Sequence, residues 1–344
     1  LLFFNKLLFN FVCAIMLMCT DINGIVFMII DRTNKKSIRS AFGKALAKLG
    51  ENNEKIVVLD ADLSCSTQTK FFAKEFPERF FDCGIAEQDM VATATGLAAV
   101  GKIPFAASFA VFVTGRAYDQ VRNSICYPNF NVKLVGTHGG ITVGEDGATH
   151  EALEDISLMR GLPNMSVMVP ADCRECEQIL EYAAEHDGPM YIRVPRSNVC
   201  DVFDENYKFD FNKANIVNQG SQLTVFTNGE TLAEVLEAVN ELEKDGYSVQ
   251  VVNVPVVKPI DKDTIVACAQ KTGHVVTVEN HSIIGGLGSA VCEVLAENFP
   301  VPVKRIGVND EFGQSGDADL LMDFYGLSAK KLKQSIKQYI DNFA

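Results

Sequence analysis

The feature that most restricts the fold of this chain is a regular alternation of helical and strand patterns. Between residues 38 and 49 the apolar residues recur at intervals of three and four, which is typical of an amphipathic helix. Ser37 is its expected N-cap, and Gly50 is the expected C′ residue. The apolar run within residues 55–60 predicts a buried strand. Because helices and strands keep alternating after it, we predict an α/β fold with parallel sheets.

One polar stretch interrupts the alternation and divides the chain into two predicted domains. Residues 198–220 are rich in Asn and Asp and follow Pro195, a composition that suits a linker. We therefore predict a doubly wound α/β domain over residues 37–197. A second, smaller α/β domain is expected over residues 221–344.

The first 27 residues differ in composition from the rest and allow two interpretations. They are rich in Leu, Phe, Ile and Asn and carry almost no charge. Lys6, followed by the apolar run of residues 7–18, is typical of a signal peptide or a membrane anchor. Met28, directly before the first recognisable helix, indicates instead that translation starts there. We expect the second interpretation, which places residues 1–27 outside the fold and the protein in the cytoplasm.

The overall charge argues against nucleic acid as a partner. The 344 residues carry a net charge of −13, and the sequence contains no run rich in Lys or Arg. An anionic ligand would therefore have to be held by a few local cations. The ten cysteines are scattered and are expected to be reduced thiols. Cys173 and Cys176 form a CxxC pair, but without a second pair they do not predict a zinc site.

Two segments carry polar residues of the kind found in ligand sites. Glu87 follows a predicted strand through a Cys-Gly turn, at the end of the strand where α/β proteins bind ligands. His138 and His150 flank a glycine-rich stretch that contains Asp146. Glycines bring the backbone close to a ligand, and an imidazole can donate or accept a proton near neutral pH. We predict a site here, although each residue alone also has an ordinary structural explanation as a helix-end acid, a packed histidine or a turn cap.

Together the motifs Gly-Ile-Ala-Glu-Gln (84–88) and Gly-Glu-Asp-Gly-Ala-Thr-His (144–150) resemble the C-terminal half of transketolase. Transketolases are thiamine diphosphate enzymes that move two-carbon ketol units between sugar phosphates. The resemblance extends from about Ser37 to the chain end. It implies a pyrimidine-binding domain followed by a smaller transketolase C-terminal domain, with thiamine diphosphate as the cofactor.

The resemblance assigns three residues to the cofactor. In this family the glutamate that matches Glu87 contacts a pyrimidine nitrogen and promotes the imino tautomer, whose nitrogen then removes the thiazolium proton. Phe112 matches the ring that stacks on the pyrimidine, and Phe109 matches its neighbour. Many transketolases have a tyrosine three residues after Phe112, whereas this chain has Gly115, so this part of the wall is altered.

The resemblance also assigns residues to the substrate. Asp146 and His150 match residues that face the hydroxyls and the carbonyl of the sugar, and His138 matches one nearer the phosphate. Arg39 and Arg196 match phosphate-binding arginines, which otherwise would be interpreted as surface cations. Bidentate guanidinium contacts allow an acidic protein to bind a phosphate locally. Two residues of the loop after the first strand complete this set: Ser66 as a hydroxyl partner of the phosphate, and Asp62, which contacts neighbouring active-site structure.

The segment that binds the diphosphate in full-length transketolases is not found in this sequence. Those enzymes carry a Gly-Asp-Gly segment and a later Asn that together bind magnesium and the diphosphate. Here Gly316-Asp317-Ala318 has no such Asn. The resemblance therefore implies the C-terminal subunit of a split transketolase. An N-terminal partner would hold the diphosphate and Mg²⁺ in an α2β2 assembly, this chain would supply no metal ligand, and sugar phosphates would be the substrates.

Three alternatives stay open at this point. The chain could be the beta subunit of a 2-oxo-acid dehydrogenase, or it could be similar to a deoxyxylulose-phosphate synthase. The paired histidines argue against the first, and the chain length argues against the second. A subunit of another class, which uses this fold only to bind a partner, is disfavoured by the presence of Glu87.

A second glycine-rich stretch, residues 279–289, lies in the predicted C-terminal domain and contains His281. Its glycine spacing matches neither a P-loop nor a dinucleotide-binding fingerprint. We predict a tight strand-to-helix turn here and not a phosphate site.

Overall fold

The computed structural model describes residues 30–343. The interpretations of residues 1–27 and of Met28 concern a part of the chain that lies outside the described residues. Within residues 30–343, no helix combines the length and the hydropathy that crossing a membrane requires.

The strands form two separate sheets. In chain order they are β1 (Ile56–Asp60), β2 (Phe80–Asp82), β3 (Ile103–Phe109), β4 (Lys133–Thr137), β5 (Ser166–Met168), β6 (Met190–Val194), β7 (Asn215–Asn218), β8 (Leu223–Thr227), β9 (Val249–Asn253), β10 (Val256–Lys258), β11 (Val275–Ser282) and β12 (Val303–Val308). Among the described residues the first sheet has the order β10-β5-β6-β4-β3-β1-β2 and the second β12-β11-β8-β9-β7. All neighbours are parallel except β10 with β5 and β7 with β9.

Helices cover both faces of the first sheet. They are α1 (Ile38–Asn52), α2 (Ser64–Thr67), α3 (Lys70–Glu75), α4 (Glu87–Ala99), α5 (Tyr118–Gln120), α6 (Asp155–Arg160) and α7 (Cys173–Glu185). Two π-helical turns, Phe112–Arg116 and Val121–Cys126, flank α5. Apolar residues of α1 and α7 pack on one face of the sheet, and those of α4 and α6 pack on the other. The predicted doubly wound α/β fold is confirmed for this unit.

The second unit is built in the same way around its own sheet. Its helices are α8 (Thr231–Lys244), α9 (Lys262–Thr272), α10 (Leu287–Asn298), α11 (Ala318–Phe324) and α12 (Ala329–Asp341). Apolar residues of α8 and α12 form one core with the sheet, and those of α9 and α10 form the other. The final two helices were not predicted from the sequence.

Two strands cross the boundaries that the sequence predicts. The predicted linker, residues 198–220, contains β7, which forms the edge of the second sheet beside β9. Strand β10 belongs to the predicted second domain, yet it pairs with β5 of the first sheet. Val256 and Val257 of β10 enter the two cores on opposite faces of that sheet. Strands β7 and β10 each pair with only one other strand, at an edge of a sheet. The polarity and chain position of such a strand do not indicate which sheet it joins.

Helix α1 shows which end signals can be read locally. The Oγ atom of Ser37 accepts a hydrogen bond from Ser40 N at 3.2 Å, which confirms the predicted N-cap. The prediction of Gly50 as the C′ residue was wrong, because the helix continues to Asn52. A Cβ atom at Gly50 would lie 2.6 Å from the ring of Phe72 and 2.8 Å from that of Phe76. Gly50 is therefore present for close packing and does not end the helix.

This packing leads to a prediction about two helical glycines. Gly96 lies in α4 with open space around its Cα, whereas Gly50 lies against two rings. We expect Gly96→Ala to raise the free energy of unfolding by about 0.5–1 kcal/mol through helix propensity. Gly50→Ala should lower it by about 1–3 kcal/mol through overpacking. Urea denaturation of both variants checks this, and a gain in stability for Gly50→Ala would contradict it.

Candidate active site

The predicted site residues meet at one edge of the first sheet. Glu87, Phe112, His138 and Arg196 each follow the carboxyl end of a different strand, namely β2, β3, β4 and β6. Because these strands are parallel, their carboxyl ends lie along the same edge. This is the edge at which open α/β sheets bind ligands.

Four aromatic rings form a cluster at this edge. The ring centroids of Phe109 and His138 lie 3.7 Å apart, with 25° between the ring planes. Phe109 also stacks on Phe112 at 5.7 Å, with 13° between the planes. His150 approaches Phe112 edge-on at 5.3 Å. The structure thus brings both predicted phenylalanines and both predicted histidines into one site.

His138 is held in an unusual environment. Its backbone adopts a φ of +61°, and its Nδ1 atom lies 2.9 Å from the hydroxyl of Thr137. The side chain is buried. This burial, together with the positive charges of Arg39 and Arg196 and the neighbouring His150, lowers the pKa of His138 to about 3. The imidazole is therefore neutral near pH 7 and can both donate and accept a hydrogen bond.

Glu87 is buried at the start of α4 and forms an ion pair that the sequence analysis missed. The Nη1 atom of Arg116 lies 3.1 Å from Glu87 Oε1. The same guanidinium lies over the ring of Phe112, with Cζ 3.9 Å from the ring centroid. Gln88 fixes the backbone of Arg116 by donating to its carbonyl at 3.0 Å. The four-residue spacing of Phe112 and Arg116 could have indicated from the sequence that Arg116 lies beside Phe112 in this site.

The arrangement of Glu87 and the two phenylalanines is suited to a flat nitrogen heterocycle. Phe109 and Phe112 present nearly parallel faces, and offset stacking of aromatic rings is favourable. The Glu87 carboxyl is buried, and it pairs with Arg116, whose guanidinium lies over the ring of Phe112. The Oε1 atom of Glu87 is paired with Arg116, and a ring nitrogen could hydrogen-bond to the other carboxyl oxygen.

Two arginines lie side by side near His138. Arg39 donates to the carbonyl of Ser66 at 2.7 Å and to that of Arg196 at 3.0 Å. Its Nε atom is buried and has no hydrogen-bond partner among the described residues. Burial, assisted by the charge of Arg196, lowers the pKa of Arg39. Arg196 donates to the carbonyl of Val143 at 2.6 Å and pairs with Glu145 at 2.8 Å. Such a pair of cations is suited to an anion with several acceptor oxygens.

The loop after β1 lies on the other side of Arg39. Its Ser66 contacts Arg39 through the main-chain oxygen, whereas the sequence analysis assigned a role to the hydroxyl. Asp62 is exposed in the left-handed region, with φ +60°, and its backbone N–H donates to Asp82 at 3.0 Å. Asp60, at the end of β1, was not singled out from the sequence, although it fixes this loop.

Asp60 acts as the internal anchor of that loop. It is fully buried and accepts three hydrogen bonds, from Leu63 N at 2.6 Å, Thr67 Oγ1 at 2.7 Å and Thr69 Oγ1 at 2.8 Å. Burial raises the pKa of this carboxyl, and the three hydrogen bonds oppose the shift. The motif Asp-x-x-x-x-x-x-Thr-x-Thr could have revealed this anchor, because short hydroxyl side chains commonly satisfy buried carboxylates.

Asp146 and His150 lie in the segment between β4 and α6. Asp146 is exposed, and His150 is half-buried with its Nδ1 atom 2.9 Å from the hydroxyl of Thr149. Gly144 precedes them with φ +79°, a conformation that favours glycine. The turn at Gly144 brings His150 back against Phe112.

Three further motifs have structural roles. The Glu279 carboxylate accepts hydrogen bonds from Leu287 N at 2.6 Å and Gly288 N at 2.8 Å, so residues 279–289 form the predicted strand-to-helix turn. His281 is fully buried, which lowers its pKa to about 4. Asp317 is the N-cap of α11 and accepts from Asp319 N at 3.0 Å. In the CxxC pair burial raises the pKa of the Cys173 thiol to about 12, and neither thiol is in a disulfide.

Both parts of the chain match known domain families. Residues 34–201 match the transketolase pyrimidine-binding domain, and residues 212–332 match the transketolase C-terminal domain. Among solved structures, a split-gene transketolase described as an inactive β4 tetramer is similar, with a TM-score of 0.83 and 50% identity. That similarity covers 89% of this chain and 99% of the other.

Curated relatives agree with these matches. A putative transketolase C-terminal section from Methanocaldococcus jannaschii is 47% identical over 88% of this chain and 96% of its own length. A 6-deoxy-6-sulfo-D-fructose transketolase subunit from a Clostridium species is 42% identical over 86% and 92%. The two matched domains, in this order, assign the chain to the transketolase family, of which it forms the C-terminal half.

Proposed function

We propose that this chain is the C-terminal subunit of a split, thiamine diphosphate-dependent transketolase. It would transfer a two-carbon ketol unit from a ketose phosphate to an aldose phosphate, as part of carbohydrate metabolism in the cytoplasm. The observation that carries the proposal is the placement of Glu87, the stacked pair Phe109 and Phe112, and the cations Arg39 and Arg196 at one sheet edge. A buried acid, an aromatic wall and an anion site are what this reaction needs from its pyrimidine-binding half.

The residues present fit the pyrimidine of thiamine diphosphate. When bound, this cofactor supplies a carbon nucleophile that can carry the two-carbon unit. Phe112 and Phe109 would hold the pyrimidine by stacking. Glu87 would share a proton with a ring nitrogen, and burial at 5% exposure keeps water from competing for that proton.

The remaining residues would bind and orient the sugar phosphates. His150 and Asp146 would face the hydroxyls and the carbonyl, and His138, which is neutral, would lie nearer the phosphate. Arg39 and Arg196 would bind the phosphate, because a guanidinium donates to two phosphate oxygens at once. Beside Arg39, Ser66 would add a hydroxyl donor, and Asp62 would contact the neighbouring part of the site.

The proposal includes a partner. An N-terminal subunit would bind the diphosphate and Mg²⁺ and complete the site in an α2β2 assembly. The match to 96% of a relative described as a C-terminal section supports such a division. The β4 tetramer of the similar split-gene transketolase is described as inactive, which also supports dependence on a partner. Relatives named for sulfofructose and for apulose 4-phosphate indicate that the donor sugar varies within the family, so we propose only its class.

The experiment that tests the proposal concerns Glu87. We expect Glu87→Gln to slow exchange of the thiazolium proton by about a hundredfold to ten-thousandfold in the assembled complex, because the shareable proton is lost. NMR of the bound cofactor measures this rate. Asp89→Asn, which changes an exposed acid of the same helical turn, is the control. Exchange at the wild-type rate in an assembled Glu87→Gln complex would refute the assignment.

A second prediction concerns phosphate recognition. Replacing Arg39 or Arg196 by Ala should raise KM for phosphorylated sugars by about ten- to a hundredfold, since a charge-assisted contact contributes roughly 1.5–3 kcal/mol. Unphosphorylated acceptors should be affected much less. Arg122→Ala, at an exposed position outside the site, serves as the control. The assignment would be contradicted if steady-state kinetics showed the same rise in KM for phosphorylated and unphosphorylated acceptors.

A third prediction follows from the neutral state of His138. Nitrogen NMR of the labelled chain should show a neutral imidazole from pH 8 to pH 5, since the pKa is lowered to about 3. Arg39→Gln should raise that pKa by removing a positive charge, and Arg122→Gln should leave it unchanged. Between pH 6.5 and pH 3 the unfolded chain binds a proton that the folded chain excludes, so His138 lowers stability on acidification. Titration of His138 near its ordinary pKa in the folded chain would contradict this.

A further inference from the structure

The second domain contacts the segment that carries the candidate substrate residues. We define the substrate loop as residues 139–151, which contain Asp146 and His150 and directly follow His138. This loop belongs to the first domain and connects β4 to α6. Its contacts with the second domain include one at its start and one around Gly144.

Asn280 makes the contact at the start of the loop. It lies near the carboxyl end of β11 and is 3% exposed. Its Oδ1 atom accepts the backbone N–H of Ile141 at 3.0 Å, and its Nδ2 donates to Glu230. Gly140 adopts φ +82°, and a Cβ atom there would overlap the Asn280 amide. The first turn of the loop is therefore shaped around this one side chain.

Glu230 connects the start of the loop to the segment that carries Arg196. It occupies the N-cap position of α8 and accepts from Thr142 Oγ1 at 2.9 Å and 3.0 Å. It also accepts from Ser197 Oγ at 2.8 Å, next to Arg196. Arg196 itself donates to the carbonyl of Val143. A single carboxylate of the second domain thus links the start of the loop to the candidate phosphate-binding segment.

The second contact lies near Asp146. The N–H of Gly316 donates to the carbonyl of Gly144 at 3.4 Å, and a Cβ atom at Gly147 would overlap the Ser315 hydroxyl. The loop is therefore packed against the second domain on both sides of its turn.

We infer that Asn280, with Glu230, is a positioning residue of the second domain that holds the substrate loop in the geometry required for reaction. Asn280 acts through Ile141, whose N–H it accepts, and through Glu230, which binds Thr142. The inference about reaction rests on the proposed function, whereas the inference about loop order does not. It gives the second domain a role in the site, through the loop that carries Asp146 and His150.

The loop order can be tested in the isolated chain. In Asn280→Ala, hydrogen exchange of the amides in residues 141–147 should accelerate by about tenfold, because Ile141 N–H loses its acceptor and Glu230 loses a donor. Mass spectrometry of peptides from this region measures the change. Asn280→Asp retains the acceptor for Ile141 but places two carboxyls together, so protection should be partly restored at low pH, where they can share a proton.

Asn253→Ala is a closely matched control. Asn253 is buried in the same domain, and its amide donates to the buried Glu175 of the first domain at 2.8 Å, yet it does not contact the loop. It should lower global stability to a similar extent without local acceleration in residues 141–147. Equal exchange in both variants, or unchanged exchange in Asn280→Ala, would overturn the inference.

The assembled enzyme tests the consequence for reaction. Asn280→Ala should lower kcat/KM for ketol transfer by at least about tenfold, while proton exchange at the thiazolium carbon, which depends on Glu87, stays at the wild-type rate. Loss of both would indicate general damage and would overturn the positioning role. If Asn280→Ala alters loop exchange but the wild-type assembly performs no ketol transfer, the proposed function is refuted and the loop inference stays intact.

Discussion

The site depends on a buried ion pair at the junction of the two domains. Arg193 donates from Nε to Asp155 Oδ2 at 2.8 Å, and both side chains are almost completely buried. The same guanidinium donates to the carbonyl of Ala152, directly after the substrate loop, and to that of Asn280 in the second sheet. Gly139 leaves room for it, since a Cβ atom there would lie 2.5 Å from Nε. Removal of one partner from a buried pair costs about 3–5 kcal/mol, so neither the loop nor the domain contact is independent of it.

The site also shows how an acidic protein can keep positive charge available for a ligand. The chain carries a net charge of −13, so its long-range electrostatic interaction with an anion is repulsive. Arg39 is fixed by two backbone carbonyls and not by a carboxylate, which orients the guanidinium without neutralising it. Arg196 is different, because Glu145 pairs with it at an exposed position. An exposed pair of this kind contributes little energy, so a phosphate could displace Glu145 at small cost.

Local signals were readable from the sequence, and contacts between distant segments were not. The Ser37 cap depends on its own turn and was predicted. Gly50 was misread because its neighbours, Phe72 and Phe76, lie in and directly after another helix. The glycine spacing indicated a loop with His138 and His150, and the structure brings both of their rings to Phe109. Nothing in the sequence near that loop indicated that side chains of the second domain shape it. The chemical roles of these residues remain predictions.

Strand β10 makes the two sheets of this chain inseparable. It supplies the antiparallel edge of the first sheet beside β5, although its residues follow β9 of the second sheet by only a short connection. A chain cut between the domains would leave β5 with an unpaired row of backbone groups, a surface on which strands of other molecules can add. Val256 and Val257 would also be withdrawn from both cores. Fragments cut at that boundary would therefore expose an unpaired strand and apolar core residues and would tend to aggregate, so the folding of the first domain depends on residues that belong to the second.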